Sequence, residues 1–331
     1  MKQRIRQCGL LLLGIALLLT GTTAAAERQE RLVLAGPPAA VSFPLIRMVE
    51  SGALDDIAEQ VEYVEWRDPD QVRALLLRGN VDFVALPSNV AANLHNRGID
   101  LQLLNISSWG LLWVVSRDAE LDSLADLAGK EIAVPFRGDM PDVVLRELLR
   151  ANGLDERRDL RLRYVASPMD AMQLLIVRRV DHALLSEPAA SMALYQTQGA
   201  ALSQIVPELH RAIDLQQAWG ETFERESRIP QAGLSAVGEL SPALRSRVQH
   251  EYAAALEWVL ANPEAAGEMV ARHSGMLKPP AVVDAIAHSQ LRAVPAAVAR
   301  AELEHFYSVL ERTTPALIGG QLPPERFYFD E

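Results

Sequence analysis

Several features of known functional sites are missing from this sequence of 331 residues. Aromatic residues make up only 5% of it, which argues against a platform on which sugar rings or bases stack. No Gly-x-Ser-x-Gly elbow, P-loop or Gly-x-Gly-x-x-Gly is present. Seven histidines occur without the spacing of metal ligands, and His-Glu-x-x-His is absent. We therefore expect neither a metal site nor a cofactor.

Cysteine is almost absent. The single one, Cys8, lies near the N-terminus. Three basic residues, Lys2, Arg4 and Arg6, precede it, and an apolar run over residues 9–19 follows that is too short to span a membrane. Ala24 to Ala26 then offer a small-residue cleavage site. This order predicts a signal peptide over residues 1–26, so the mature chain is periplasmic and has neither cysteine nor disulfide. An uncleaved membrane anchor is the alternative.

Positive charge is scarce relative to negative charge. The formal net charge is −11, and it becomes −14 when the leader is removed with its three positive charges. An acidic surface disfavours nucleic acid and anionic membranes as partners. With 49% hydrophobic residues the chain can bury full cores, and its length favours more than one domain.

One pattern occurs twice, in residues 75–91 and again in residues 174–190, 99 residues later. Each copy has the pattern of a helix end, a turn with Val-Asp, a short buried strand and a restart in small residues. Two copies predict two α/β lobes of similar build that face each other across a ligand cleft. The alternative is coincidence, because helix-turn-strand joints are common. The identical pairs are Leu75/Leu174, Leu76/Leu175, Val81/Val180, Asp82/Asp181, Leu86/Leu185 and Ala91/Ala190.

The order of predicted elements supports this architecture. Strands and helices alternate up to about residue 206, which predicts mostly parallel sheets. Helices with short breaks follow from Ser241, and we expect them to pack back onto the first lobe. Gln231 to Val237 is predicted to be a strand that returns from the second lobe to the first. The tail from Pro323 to Glu331 is expected to lie against the first lobe.

Four segments resemble one family of exported proteins. They are Ser123 to Pro135 (SLADLAGKEIAVP), Gly79 to Asp82, the loop after Val134, and Ala255 to Pro263 (ALEWVLANP). In this order and spacing they resemble the periplasmic substrate-binding proteins of ABC importers of the nitrate, sulfonate and taurine type, which are related to binding proteins for thiamin-pyrimidine precursors. One departure is Arg178 with Arg179, where the second copy of the repeat would be expected to have a glycine.

The resemblance implies an α/β fold of the two-lobed type II periplasmic-binding-protein class, with two mostly parallel sheets flanked by helices and a ligand cleft between them. Lobe I would contain residues 27–114 and 233–331, and lobe II residues 115–232. The chain would then be a monomer that captures a small polar or anionic organic ligand of the sulfonate, nitrate or heterocycle class. It would deliver this ligand to an inner-membrane ABC permease and its ATPase.

Two other functions stay open. The thiamin-pyrimidine synthases share this fold, but they need iron-binding histidines and act in the cytosol, so the export signal and the missing histidine cluster count against an enzyme. A ligand-sensing adaptor that signals through a membrane partner would have the same sequence features as a transport component.

Ligands of such folds bind at the carboxyl ends of strands, where helix N-termini present free N–H groups. The loops over residues 37–44, 86–89, 136–142 and 186–188 meet this description, and residues 107–109 are predicted as a further loop before a crossing strand. The candidate ligand-binding residues are Ser42, Phe43, Pro87, Ser88, Asn89, Ser108, Trp109, Phe136, Arg137, Gly138, Asp139 and Glu187.

The polar candidates leave alternatives open. Ser42, and likewise Ser88 with Asn89, could contact the ligand or cap the helix that follows. Arg137 suits a carboxylate, sulfonate or phosphate, although a structural ion pair with Asp139 or Asp142 is slightly favoured. Asp139 and Glu187 could instead hold a cationic group. Trp109 and Phe136 could stack on a planar ligand or pack between the lobes. The charge of the ligand is therefore undetermined by the sequence.

Overall fold

The computed structural model describes residues 28–67, 69–198 and 208–331. The predicted signal peptide and Cys8 lie outside these residues. Seven strands form a first sheet: β1 (Gln29–Gly36), β2 (Ala58–Glu65), β3 (Phe83–Pro87), β4 (Leu101–Leu103), β5 (Asn105–Gly110), β11 (Ala232–Val237) and β12 (Gln290–Pro295). Five strands form a second sheet: β6 (Leu112–Ser116), β7 (Glu131–Pro135), β8 (Arg161–Val165), β9 (His182–Ser186) and β10 (His210–Asp214).

Most strands of each sheet run in one direction. The first sheet has the order β12-β5-β11-β3-β1-β2, with β4 paired to β11, and only β11 and β12 oppose the other five strands. The second sheet has the order β10-β6-β9-β7-β8, and only β6 opposes the other four. This confirms the predicted α/β class with two mostly parallel sheets, and β11 is the predicted returning strand.

Helices flank both sheets. Those in the chain segments of the first sheet are α1 (Phe43–Ser51), α2 (Pro69–Leu77), α3 (Ser88–Asn96), α8 (Pro242–Ala261), α9 (Pro263–Ser274), α10 (Pro279–Ala287) and α11 (Ala296–Thr313). Those of the second sheet are α4 (Met140–Ala151), α5 (Pro168–Ile176), α6 (Ala189–Thr197) and α7 (Leu215–Phe223). Proline stands in the first turn of α1, α4, α5, α8, α9 and α10, where its missing N–H group leaves no helical hydrogen bond unmade.

The sequence repeat corresponds to a structural repeat. The first copy spans the end of α2, β3 and the start of α3, and the second spans the end of α5, β9 and the start of α6. Each of the two strands, Phe83–Pro87 and His182–Ser186, lies inside its sheet with neighbours on both sides. Even the backbone of the turn agrees, because Gly79 has φ 64° and Arg178, at the equivalent position, has φ 57°. The prediction of two similar α/β units is therefore confirmed.

Arg178 adopts this left-handed conformation without being a glycine, which predicts a measurable strain. We expect the Arg178→Gly variant to be more stable than Arg178→Ala by about 1 kcal/mol, because a Cβ atom disfavours positive φ. Both variants lose the same side chain, so their difference in the free energy of unfolding, measured by urea denaturation, isolates the backbone contribution. Equal stabilities would contradict the assignment of strain to this position.

The chain crosses between the two sheets twice, over residues 110–112 and 229–231, and these two segments are called the hinge below. They are joined side by side, because the Ile229 N–H donates to the Trp109 carbonyl at 2.7 Å and the Gln231 N–H donates to the Ser108 carbonyl at 2.9 Å. Gln216, in the first turn of α7, accepts from the Leu112 N–H at 2.8 Å. A Cβ atom on Gly110 would lie 2.5 Å from the Gln216 Cγ, so this close approach requires glycine.

One local prediction is wrong. Residues 107–109 were expected to form a loop, but they lie inside β5 and are buried. The polar side chain of Ser107 is compatible with a buried strand because its hydroxyl is hydrogen-bonded to the Tyr252 hydroxyl at 2.6 Å, and Tyr252 donates to the Val41 carbonyl at 2.7 Å. Ser107 and Ser108 are therefore strand residues and do not form a turn.

The C-terminal part packs on the first sheet, as predicted. Helix α8 contacts α1 and β12, and α11 contacts β5. In the tail, the Phe329 N–H donates to the Leu103 carbonyl at 2.9 Å, and Gln102 donates to the Arg326 carbonyl at 3.0 Å. Across the parts of the chain that the structure describes, no helix has both the length and the hydrophobicity that a membrane span requires.

Candidate functional site

The candidate site is a cleft between the carboxyl-terminal edges of the two sheets. On the first sheet, α1 begins after β1 and α3 begins directly after β3. On the second, α4 begins after β7 and α6 begins after β9. The two edges meet, because the Asn89 Nδ2 donates to the Asp139 Oδ1 at 3.1 Å. The N-termini of α3 and α4 therefore lie close together, and each presents the partial positive charge of a helix start.

Ser42 and Phe43 form part of the wall behind the first strand. The Ser42 hydroxyl donates to the Pro37 carbonyl at 2.6 Å and makes no capping bond to α1. Gly36 is needed beside it, because a Cβ atom there would lie 2.2 Å from the Ser42 Oγ. Phe43 is buried in an apolar cluster that includes Met192 of the second sheet's helices. Both residues are thus held in the packed wall, and Ser42 is only 1% exposed.

Ser88 ties the start of α3 to the hinge. Its hydroxyl donates to the Pro230 carbonyl at 2.5 Å, and its N–H donates to the Gln231 carbonyl at 2.8 Å. Its own carbonyl accepts from the Tyr307 hydroxyl at 3.0 Å. Pro87 precedes it at the N-cap position of α3 and is half-buried. Ser88 therefore fixes the start of α3 to the hinge, and its side chain does not cap α3.

Asn89 and Asp139 form a direct contact between the two halves of the molecule. Asn89 is buried, and its Nδ2 faces the Asp139 carboxylate. Asp139 also caps α4 by accepting from the Met140 N–H at 2.7 Å. One carboxylate oxygen thus fixes a helix start in one half of the molecule and receives a side chain from the other half.

The loop before α4 is held by Asp142. Its carboxylate accepts from the Gly138 N–H at 2.7 Å and from the Tyr164 hydroxyl at 3.2 Å, and it forms an ion pair with Arg146 at 3.2 Å. Burial and this carboxylate raise the pKa of Tyr164. The loop is strongly curved, with φ 54° at Phe136, which is half-buried, and φ 77° at Gly138.

The favoured ion pair of Arg137 is not found within residues 28–67, 69–198 and 208–331. The exposed Arg137 guanidinium lies over the Tyr164 ring, 4.9 Å from its centroid, and joins neither Asp139 nor Asp142. The reason is that Asp142 is already occupied by Arg146 and by the loop N–H, while Asp139 caps α4. Arg137 thus lies on the same loop as the cleft contact, with its charge in solvent.

Glu187 has a structural partner that the sequence did not reveal. It is fully buried, and its Oε1 accepts from the Arg211 Nε at 2.9 Å and Nη2 at 2.6 Å. Its Oε2 accepts from the Ser191 hydroxyl at 2.7 Å. Arg211 then reaches Asp284 of α10 at 2.6 Å. A fully buried acid requires a cation nearby, but no local pattern indicated which arginine would supply it.

Ser108 and Trp109 lie at the hinge, inside β5. The Trp109 Nε1 donates to the Arg292 carbonyl at 2.9 Å, and the Arg228 guanidinium lies 5.0 Å from the centre of its ring. Trp109 lines a cavity of about 260 Å³ together with Arg228 and Arg292. The structure therefore places Trp109 beside β12 at the flank of the hinge, whereas Asn89 and Asp139 meet between the sheet edges.

A family model described as "ABC transporter, phosphonate, periplasmic substrate-binding protein" matches residues 44–254, which is more than half of the chain. No curated protein sequence matches the chain. In the described part of the chain, no group of three or more His, Cys, Asp or Glu side chains is placed to hold a metal ion.

Solved structures share the fold. An ABC transporter protein from Parabacteroides distasonis has a TM-score of 0.75 at 21% identity, over 92% of this chain and 100% of the other. The aliphatic sulphonate binding protein SsuA from Escherichia coli has 0.66 at 18%, over 90% and 99%. The nitrate-binding protein NrtA from Synechocystis PCC 6803 has 0.66 at 14%, over 87% and 84%. The fold is thus the two-lobed type II fold of periplasmic binding proteins.

Proposed function

The chain belongs to the family of phosphonate-type periplasmic substrate-binding proteins of ABC transporters, and on this premise we propose that it captures one small polar or anionic organic ligand in the cleft and delivers it to a membrane permease. In this proposal, the loops that face each other across the cleft bind the ligand, above all through Asn89 and Asp139. The family is one of solute-binding proteins and not of enzymes.

The observation that carries the proposal is the hydrogen bond of 3.1 Å between Asn89 and Asp139. It joins the carboxyl-terminal edges of the two sheets, whose chain segments are also in contact through the two hinge segments and through Arg211 and Asp284. We assign residues 27–114 and 233–331 to lobe I and residues 115–232 to lobe II. Closure of these lobes would bury the ligand, and the ligand's binding energy would shift the hinge equilibrium toward the closed form.

The partners follow from the family. A binding protein of an ABC importer works in the periplasm with a membrane permease, and we extend this to a cytosolic ATPase on the permease and to a monomeric binding protein. We also propose that residues 1–26 are removed as a signal peptide when the chain is exported.

The proposal predicts a ligand-dependent gain in stability. A phosphonate, sulfonate, nitrate, carboxylate or pyrimidine that binds should stabilise the mature chain by about 2.7 kcal/mol at a hundredfold excess over its Kd, because it binds only the folded state. A thermal-shift screen of these compounds measures the effect. If every compound leaves the melting curve unchanged, the proposal fails.

A matched pair of variants tests whether the ligand lies in the cleft. Asn89→Ala should weaken binding of the best ligand at least about tenfold, because the amide bridges the two lobes. Asn93→Ala is the control, since Asn93 lies on the same helix but donates to the Ala316 carbonyl at 2.5 Å, in the C-terminal part of the chain. Equal affinities of the two variants in calorimetry would place the ligand elsewhere.

A further inference from the structure

A cavity of about 260 Å³ lies at the flank of the hinge. Its lining comes from β12, from Trp109 near the end of β5, and from residues 226–228, which lead into the second hinge segment. A space of about 10–15 Å³ admits one water, so this cavity has room for a small ligand. Asn89 and Asp139 do not line it, and the proposed function assigns it no role.

Two arginines meet at the Trp109 ring on one wall of this cavity. The Arg228 guanidinium lies 5.0 Å from the centre of the ring, and the Trp109 Nε1 donates to the Arg292 carbonyl at 2.9 Å. Strand β12 is irregular here, because it has one residue more than β5 between the pairs at Leu291 and Val294. Such a bulge turns a side chain out of the regular alternation of a strand and is common beside functional sites. Both arginines line the cavity.

The charges around the cavity favour an anion. Arg228 is paired with Glu226 at 2.8 Å and with Glu302 at 3.5 Å, and Arg225 shares Glu302 at 3.8 Å. Arg292 is exposed and joins none of these ion pairs, nor any other within the described part of the chain. Three arginines therefore face two glutamates at this place, although the chain as a whole is strongly acidic.

Arg228 has hydrogen-bonding capacity that its glutamates do not use. Its Nε is buried and has no hydrogen-bond partner among the residues that the structure describes. Buried donors are nearly always paired in folded proteins, so this one indicates a further acceptor. Glu226 is held only weakly by the same guanidinium, because its side chain is 68% exposed and exposed ion pairs contribute little to stability. An oxyanion that also contacts Arg292 can therefore displace Glu226.

We propose that this cavity binds a phosphate group between the Arg228 and Arg292 guanidinium groups, in the place that the Glu226 carboxylate occupies. The planar fork of N–H donors on an arginine matches the oxygen atoms of a phosphate. The Ser227 hydroxyl and the Gln290 amide line the same cavity as neutral donors. Two sources share this chemistry, free inorganic phosphate and a phosphate monoester. The site is separate from the ligand cleft, so it does not rest on the proposed function.

Calorimetry of the purified mature chain with inorganic phosphate and with methyl phosphate tests the proposal, and the probe that binds more tightly identifies the source. Arg292→Gln should weaken binding at least about tenfold, because it removes a charged donor from the site. The matched control is Arg97→Gln, which changes the net charge equally at an exposed position after α3 and should leave the affinity unchanged. Glu226→Gln should tighten binding at least about threefold, because the neutral amide no longer competes for Arg228.

The outcomes separate this inference from the proposed function. Asn89→Ala, which alters the cleft, should keep the affinity for phosphate. If Asn89→Ala loses the binding and Arg292→Gln keeps it, the phosphate lies in the cleft and the inference is overturned, while the proposed function stands. The inference is also overturned if neither probe binds, or if Arg292→Gln and Arg97→Gln have equal effects, since only the net charge would then matter. Weaker binding by Glu226→Gln would contradict the displacement of Glu226.

Discussion

Replacement of Gly233 by alanine is expected to lower the free energy of unfolding by about 3 kcal/mol or more. A Cβ atom at this position would lie 1.8 Å from the carbonyl oxygen of Asn105 and 2.9 Å from the Cα of Ile106. Both atoms belong to the backbone of β5, so no side chain can rotate away. Because β11 lies between β5 and β3, moving it would disturb hydrogen bonds on both sides.

Gly79→Ala is the matched control for this prediction. Gly79 has open space around its Cα but a φ of 64°, so alanine there meets only the conformational cost of about 1 kcal/mol. Urea denaturation of the two variants should therefore show a clearly larger loss for Gly233→Ala. A loss of similar size in both would mean that β5 and β11 can separate easily, against the close approach that the structure gives them.

Much of the fold could be predicted because its signals are local. The alternation of strands and helices follows from hydrophobic periodicity and from prolines at helix starts. The repeat also predicted two matching units, and the strands Phe83–Pro87 and His182–Ser186 lie 99 residues apart as it required. Even Arg178, which lacks the expected glycine, adopts the turn, since the fold on both sides of it determines the backbone.

The site could be predicted only in part. The loops after β3 and β7 are predicted to bind the ligand, and the structure brings them into contact through Asn89 and Asp139, while ligand binding by these loops stays a prediction. The partners of these side chains could not be predicted, because a hydrogen bond between residues 50 positions apart leaves no local pattern. For the same reason, the sequence could not reveal Arg211 as the partner of Glu187. The prediction of a loop over residues 107–109 was wrong because Ser107 and Ser108 are polar residues of a kind common in loops, although both are buried in β5.

The largest effect of a single side-chain removal is expected at Arg211. Arg211→Met should lower the free energy of unfolding by about 3–5 kcal/mol, because it leaves a buried carboxylate without its cation. Glu187 is 0% exposed, and both hydrogen bonds to its Oε1 come from Arg211. Asp284→Asn should cost about 1 kcal/mol or less, since the Asp284 side chain is 38% exposed and water replaces part of what is lost.

A double-mutant cycle separates the ion pair from the packing around it. Glu187→Gln combined with Arg211→Met should regain about 2 kcal/mol relative to Arg211→Met alone, because the amide is neutral and its oxygen can still accept from the Ser191 hydroxyl. Guanidinium chloride would screen the ion pair, so urea is the denaturant for these measurements. If the double variant is no more stable than Arg211→Met, the loss comes from the arginine's contact with the Trp113 ring, 5.6 Å away, and not from the unpaired acid.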